Sequence, residues 1–330
     1  MALATLSPVW LNRFVVATRG NFRERRCGRF LALGLATVAV LAATGAFAAP
    51  SYAQAVPPLG ASALIQPPPA FAGPPVRVWG GELVDLSHGI LLWSQDADVP
   101  RPMGSITKVM TALVVLRAGG LGREITVTKA AVRYAQKDGA SSAGLIAGDV
   151  LTTRQLLEAM LLPSGCDAAY LLANAYGPGV PAFIAKMNAT AKALNLTSTH
   201  FSWFDGMPYP TEYSTYSTPT DLIRLGVAAM RNSVFRSIVG QRRYDLTATP
   251  LHHSYLWDTT NVLIGSYRGA VGIKTGDTNA AGNCLLFGAV RGRGTLIGVV
   301  LHARPTSDPG SAITAGAQVL NWGYAQISDG

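Results

Sequence analysis

Two strand-rich stretches, one before residue 94 and one after residue 243, bracket a block that reads as helices, and this layout limits the chain to an α/β sandwich carrying an inserted helical subdomain. Val76 to Leu86 and Ile90 to Trp93 are apolar, aromatic and β-branched, and Ser87-His88-Gly89 between them predicts a hairpin. Strands return from Tyr244. Gly269 to Lys274, Asn283 to Val290 and Leu296 to His302 are short β-rich runs joined by Gly-containing turns, among them Gly292-Arg293-Gly294, and form antiparallel hairpins. An Ala-rich helix over Ala312 to Tyr324 follows. At 330 residues with 49% hydrophobic content, the chain can bury a large core in one large domain or two small ones.

The helical block runs from about residue 121 to 235. Thr152-Thr153-Arg154-Gln155 is a capping box that opens a helix with Leu156, Leu157, Met160 and Leu161 on one face, and Pro163 stops it. A second helix begins at Asp167, spans Ala168 to Tyr176 and closes at Gly177. Val180 to Leu194 reads as a third. Thr218-Pro219-Thr220-Asp221 supplies a cap, a proline at the first helical position and an early acidic residue for another.

The formal charge of +9 is unevenly spread. Residues 1–49 hold six arginines against Glu24 alone, which leaves 21 basic and 17 acidic residues for the remainder. No Lys/Arg run with interleaved aromatics is present, so no nucleic-acid partner is expected. The arginines precede an uncharged run from Phe30 to Ala49, and Ala46-Phe47-Ala48 provides small residues for signal peptidase; Ser51-Tyr52-Ala53 offers a second such site. Residues 1–49 are therefore expected to be a signal peptide or an N-terminal membrane anchor, and the protein to be exported, secreted or held at the membrane by that segment. Arg25-Arg26 lacks the apolar residues a twin-arginine signal carries after it, and Cys27 lies on the wrong side of the apolar run for a lipoprotein. Pro/Ala-rich residues 50–75 read as a stiff tether, and residues 76–330 as the working domain. Past the leader only Cys166 and Cys284 remain, too few for a disulfide-built scaffold; an oxidising compartment would allow them to pair, but each is expected to stand alone.

Chemistry gathers at Met103-Gly104-Ser105-Ile106-Thr107-Lys108-Val109-Met110. Val109, Met110, Leu113 and Val114 form one stripe of an amphipathic helix that Gly119-Gly120 would end, and a serine and a lysine three residues apart meet on one helix face. A buried lysine loses hydration and, as an amine, can take the proton of a serine hydroxyl that is otherwise a poor nucleophile. The helix N-terminus beside Ser105 favours negative charge developing on an attacked carbonyl. Ser164-Gly165-Cys166 falls at a helix junction, where a hydroxyl can project into a cleft. Lys274-Thr275-Gly276 ends an edge strand: a lysine and a hydroxyl suit a carboxylate, and Gly276 lets a substrate backbone approach. Each element has a bland reading as a chance pair, a turn residue or a strand terminus; their order in the chain argues for a shared site.

S-x-x-K, then an S-x-N-like triplet, then K-T-G is the signature of penicillin-binding proteins and class A β-lactamases. With Lys108 to Leu113, Leu162 to Ala169, Met187-Asn188, Ser217 to Asp221 and Val271 to Thr278 around these motifs, the sequence resembles the low-molecular-mass penicillin-binding D-alanyl-D-alanine carboxypeptidase/transpeptidase family from about Val76 to Tyr324. The resemblance implies a β-lactamase/DD-peptidase-like fold, a mainly antiparallel sheet flanked by helices, and a serine DD-peptidase acting on peptidoglycan stem peptides. It implies that Ser105 attacks the penultimate D-alanine carbonyl, Lys108 takes its proton and Ser164 passes a proton to the leaving D-alanine. Cys166, Lys274, Thr275 and Gly276 would hold the substrate, with Lys274 and Thr275 on its terminal carboxylate, and the backbone N–H groups of Ser105 and Asp277 would form the oxyanion hole. β-Lactams would acylate Ser105 as inhibitors. No cofactor and no metal ion is implied. Cys166 departs from the family's usual asparagine, being only a weak donor and acceptor; a cysteine at this place also occurs within the family.

Two rivals are a β-lactamase and a non-catalytic β-lactam or cell-wall binding protein. A class A β-lactamase would carry a glutamate in an E-x-x-L-N context after the middle triplet, and Glu212 lies in Thr211-Glu212-Tyr213-Ser214 instead. A sensor would need an intracellular signalling segment. The five histidines show no H-E-x-x-H spacing, His252-His253 reads as a solvated loop, and there is no G-x-S-x-G elbow. The aromatic loop from Trp203 to Tyr216 either walls the cleft or packs in the core.

Overall fold

The computed structural model describes residues 73–137 and 139–328. The expected leader, and the expected tether up to residue 72, lie outside the described residues. The described chain begins with the expected hairpin, β1 (Gly80–Asp85) and β2 (Ile90–Gln95), which pair antiparallel. A 3₁₀ turn, Gly104–Thr107, leads into helix α1 (Lys108–Ala118). Then come β3 (Glu124–Thr126), α2 (Lys129–Ala135), β4 (Val150–Thr152), α3 (Thr153–Leu161), α4 (Cys166–Tyr176), α5 (Val180–Ala193), α6 (Pro219–Met230) and α7 (Ser233–Val239). The C-terminal part holds β5 (Arg243–Leu246), β6 (Tyr255–Asp258), the single turn α8 (Leu263–Ser266), β7 (Ala270–Gly276), β8 (Asn283–Arg291), β9 (Gly294–Ala303) and α9 (Ser311–Ser328).

Five strands form one antiparallel sheet in the order β2-β1-β9-β8-β7, so the N-terminal hairpin closes against the C-terminal meander. Strand β7, which carries Lys274-Thr275-Gly276, is an edge strand as its sequence predicts. Side chains alternate across a sheet with period two. Leu285 and Phe287 of β8 accordingly pack with Val319 and Leu320 of α9, while Leu286 joins a second core with Leu222 of α6 and Val109 and Met110 of α1. Both faces are covered, which explains why β8 and β9 read as nearly continuous apolar runs.

The local signals that set the helices are those in the sequence. Thr152 and Gln155 form a reciprocal capping box at α3, Thr218 accepts from the Asp221 backbone N–H at α6, and Gly119 ends α1 with φ of 76°. Three features differ from the sequence reading. Lys108 to Val115 are all buried, so α1 is a central helix packed on every side and not an amphipathic one. The helical insertion includes the short ribbon β3–β4, whose strands of three residues each are too brief for periodicity to announce. His252 is buried, with its Nδ1 against the His253 carbonyl, whereas a solvated loop was expected; His253 is the exposed member and pairs with Asp149 at 2.8 Å. Among the described residues no helix is long and apolar enough to cross a membrane.

Candidate active site

The site is built where the 3₁₀ turn, the α3–α4 junction, β7 and the loop after α5 converge. Met103 is fully buried and anchors the turn, and Gly104 enters it at φ of 53°, a left-handed conformation suited to glycine. Ser105 follows on the turn and Lys108 is the first residue of α1, so their spacing of three brings Lys108 Nζ to 2.7 Å from Ser105 Oγ. The serine thus lies on the 3₁₀ turn and not on the α-helix proper. Lys108 has no exposed surface, and its Nζ also donates to the Asp205 carbonyl at 3.2 Å and lies 3.4 Å from Cys166 Sγ and 3.5 Å from Ser164 Oγ.

Pro163 ends the α3 run, and Ser164 turns the chain toward α4 at φ of 68°, a strained value for a residue with a side chain. This turn aims the hydroxyl at Lys108. Cys166 opens α4, almost wholly buried, and its thiol is pushed up to about 12, first by burial; Lys108 opposes that shift and Asp205 reinforces it. Cys166 and Cys284 are both free thiols, each standing alone as expected.

The opposite wall is the end of β7. Lys274 is buried, and its Nζ donates to the Thr275 carbonyl at 3.1 Å and to Thr275 Oγ1 at 3.3 Å. Burial, and next the charge of Lys108, hold the Lys274 ammonium well below the ordinary lysine range. Thr275 Oγ1 is 2.6 Å from Thr260 Oγ1, and Thr260 is itself tied to the α3–α4 junction by its N–H donating to the Leu162 carbonyl at 3.0 Å. β7 lies against the Ser105 turn with no room for a side chain: a Cβ on Gly276 would sit 2.2 Å from the Met103 carbonyl oxygen, and one on Gly104 would sit 2.7 Å from the Asp277 backbone nitrogen. The Asp277 amide is therefore packed beside the residue preceding Ser105. Burial pushes the Asp277 carboxyl up.

All the sequence-predicted residues, Ser105, Lys108, Ser164, Cys166, Lys274, Thr275, Gly276 and Asp277, thus lie around one site. Three further residues come to it without a motif. Asp205 is fully buried behind Lys108 and Cys166; it accepts from the Tyr134 hydroxyl at 2.9 Å and the Met207 N–H at 3.0 Å, and Tyr134 in turn accepts from Trp203 Nε1 at 2.7 Å. Thr260 is the third. A sequence signal near them is Met187-Asn188, because the Asn188 amide grips both backbone groups of Phe201 and so places the aromatic loop that carries Asp205. Of the two expected roles of that aromatic loop, core packing is met by Phe204, which is fully buried, whereas Tyr209 and Tyr213 are exposed.

Comparison with known proteins places these features in context. The family profile described as D-alanyl-D-alanine carboxypeptidase matches residues 81–305. The D-alanyl-D-alanine carboxypeptidase of Streptomyces sp. strain K15 is 41% identical over 271 residues, covering 78% of this chain and 91% of that protein. The D-alanyl-D-alanine carboxypeptidase DacB2 of Mycobacterium tuberculosis is 34% identical over 251 residues, covering 76% and 83%. The crystal structure of the Streptomyces K15 DD-transpeptidase matches with a TM-score of 0.72 at 40% identity, covering 77% of this chain and 100% of that one.

Proposed function

This chain belongs to the D-alanyl-D-alanine carboxypeptidase family, and on that premise we propose that Ser105 is the nucleophile of a DD-peptidase acting on the D-Ala-D-Ala end of peptidoglycan stem peptides. The protein is a serine-type enzyme of the carboxypeptidase/transpeptidase class. Ser105 Oγ attacks the carbonyl carbon of the penultimate D-alanine as Lys108 Nζ takes the hydroxyl proton. The backbone N–H groups of Ser105 and Asp277 receive the oxyanion. Collapse breaks the peptide C–N bond, the leaving D-alanine nitrogen gains its proton through Ser164, and the acyl group stays on Ser105. Water, or an amine in transfer, then attacks the ester by the reverse proton path. Lys274 and Thr275 hold the terminal carboxylate, with Gly276 leaving room for the substrate backbone and Cys166 lining the cleft. β-Lactams acylate Ser105 by the same attack.

The observation that carries this reading is the 2.7 Å contact between Lys108 Nζ and Ser105 Oγ, with Ser164 Oγ 3.5 Å from the same nitrogen and the Lys274-Thr275-Gly276 edge packed on the Ser105 turn. Members of the family are extracytoplasmic cell-wall enzymes, and our reading includes export of this chain by residues 1–49, cleaved or retained as an anchor, with residues 50–75 as the tether to the domain over 76–330. Release of D-alanine from an acyl-L-Lys-D-Ala-D-Ala peptide tests the assignment. Ser105→Ala and Lys108→Met are expected to abolish release, and a Ser105→Ala enzyme that still released D-alanine would remove it.

A further inference from the structure

A pocket that the chemistry above does not use is walled by Trp79 just before β1, Arg101 and Pro102 before the Ser105 turn, Ala280 and Ala281 after β7, and His302 in β9. Three residues of chain span at most about 11 Å, so the Pro102 wall lies within the reach of a short peptide held at Ser105.

Arg101 lines the pocket, and Arg304, outside that lining, shares the Trp79 ring with it. The Trp79 ring stacks on His302 with centroids 3.3 Å apart, and the guanidinium groups of Arg101 and Arg304 lie 5.6 and 5.3 Å from the Trp79 ring centre. Arg101 gives one amino group to Asp96 at 3.2 Å, which holds the side chain in place, and the guanidinium keeps part of its surface open where Arg101 lines the pocket. Among the described residues Arg304 has no carboxylate partner, and its side chain is exposed. The local field is positive: His302 is held below the ordinary histidine range chiefly by burial, and Arg304 and Arg101 push it the same way. Tyr213 and Trp79, both partly open to solvent, leave the pocket accessible.

We propose that this pocket is a subsite for a carboxylate carried by the peptide substrate on the acyl side of the scissile bond, bound by Arg101 and Arg304 over the Trp79 face. The proposal rests on the DD-peptidase reading, which supplies the peptide. Planar guanidinium groups match a carboxylate in a bidentate geometry that a lysine would not offer. The subsite would favour stem peptides whose third residue ends in a free carboxylate over those in which that group is blocked.

The test is a matched pair of acyl-D-Ala-D-Ala peptides whose third residue carries either a glutaryl group or its methyl ester. Wild-type enzyme is expected to prefer the free acid roughly tenfold in kcat/KM, the effect of one charged hydrogen bond, and the preference to shrink toward unity in Arg304→Gln and in Arg101→Gln. Arg304 is exposed, so its variant keeps the test sound where the Arg101 variant folds poorly. Binding of the same pair to Ser105→Ala enzyme, measured by calorimetry, reads the subsite without turnover. Acid preference in binding with no turnover by wild type would overturn the DD-peptidase reading and leave the subsite standing. Equal binding of acid and ester, or a preference undiminished in both arginine variants, would overturn the subsite.

Discussion

Replacing Gly276 by alanine probes the contact on which the site depends. The added Cβ would lie 2.2 Å from the Met103 carbonyl oxygen and 3.2 Å from both Ile106 N and Ile106 Cγ1. Ordinary contact begins near 3.4 Å, so the β7 edge and the turn must part by more than 1 Å, and the obstructing atom is backbone, which has no rotamer to escape into. The Met103 carbonyl accepts the Ile106 N–H at 3.3 Å within the turn that carries Ser105, so moving it misplaces the proposed nucleophile relative to Lys274, Thr275 and the Asp277 amide. A displacement of about 1 Å reduces a reaction held in near-attack geometry by about 100-fold. Overpacking of this kind destabilises by about 1–3 kcal/mol, and each kcal/mol lowers the melting midpoint by about 2–4 °C in a domain of this size. Stopped-flow acylation by a fluorescent penicillin and calorimetric melting measure the two effects. Gly122→Ala is the control, since a Cβ there meets nothing within 4 Å. A Gly276→Ala enzyme that acylated and melted like the Gly122→Ala control would refute the argument that β7 and the Ser105 turn form one rigid wall.

Other expectations concern charge and the unusual thiol. Glu82 of β1 is buried against α6, accepting from Thr220 Oγ1 at 2.7 Å, and burial pushes its carboxyl from 4.5 up to about 7. The folded value lies above the unfolded one, so Glu82 contributes stability that is complete below pH 4.5 and lost as pH rises through about 7, on the order of 3 kcal/mol in all. Glu82→Gln should flatten the fall in melting midpoint between those values, and parallel pH curves for the two proteins would contradict the assignment. Lys274, held low by burial and Lys108, should take up a proton when a carboxylate binds beside it, so calorimetry of a carboxylate-bearing β-lactam on Ser105→Ala enzyme in buffers of different ionisation heat should report net proton uptake on the alkaline side; none would mean that Lys274 does not hold the carboxylate. Cys166→Asn replaces an apolar thiol with an amide that can grip the substrate carbonyl, and should raise the ratio of hydrolysis to transfer to an added amine; an unchanged ratio would remove any role for Cys166 in favouring transfer.

The chain made some of this legible and hid the rest for physical reasons. The Ser105/Lys108 pair, the capping box at Thr152 and the Lys274-Thr275-Gly276 strand end are local, so short-range spacing carries them. The pairing of β1 with β9 and the burial of α1 on every side are products of long-range packing, which the few residues of each segment do not encode on their own. Asp205 and Thr260 reach the site on loops, the first set by the contact of Asn188 with Phe201, and Tyr134 reaches it from α2 by packing against that loop. Lys274 shows the limit most clearly. Its place on an edge strand is readable, but the sequence suggests a simple cation, and only burial beside Lys108 reveals that the charge is disfavoured.

The central claim is that a single serine carries the acyl group, and intact-mass measurement after exposure to benzylpenicillin tests it most directly. The account predicts a stable adduct of one penicilloyl group that maps by peptide digestion to Ser105 and is absent from Ser105→Ala. An adduct that persists in Ser105→Ala, or drug destroyed rapidly with no adduct at any residue, would contradict it.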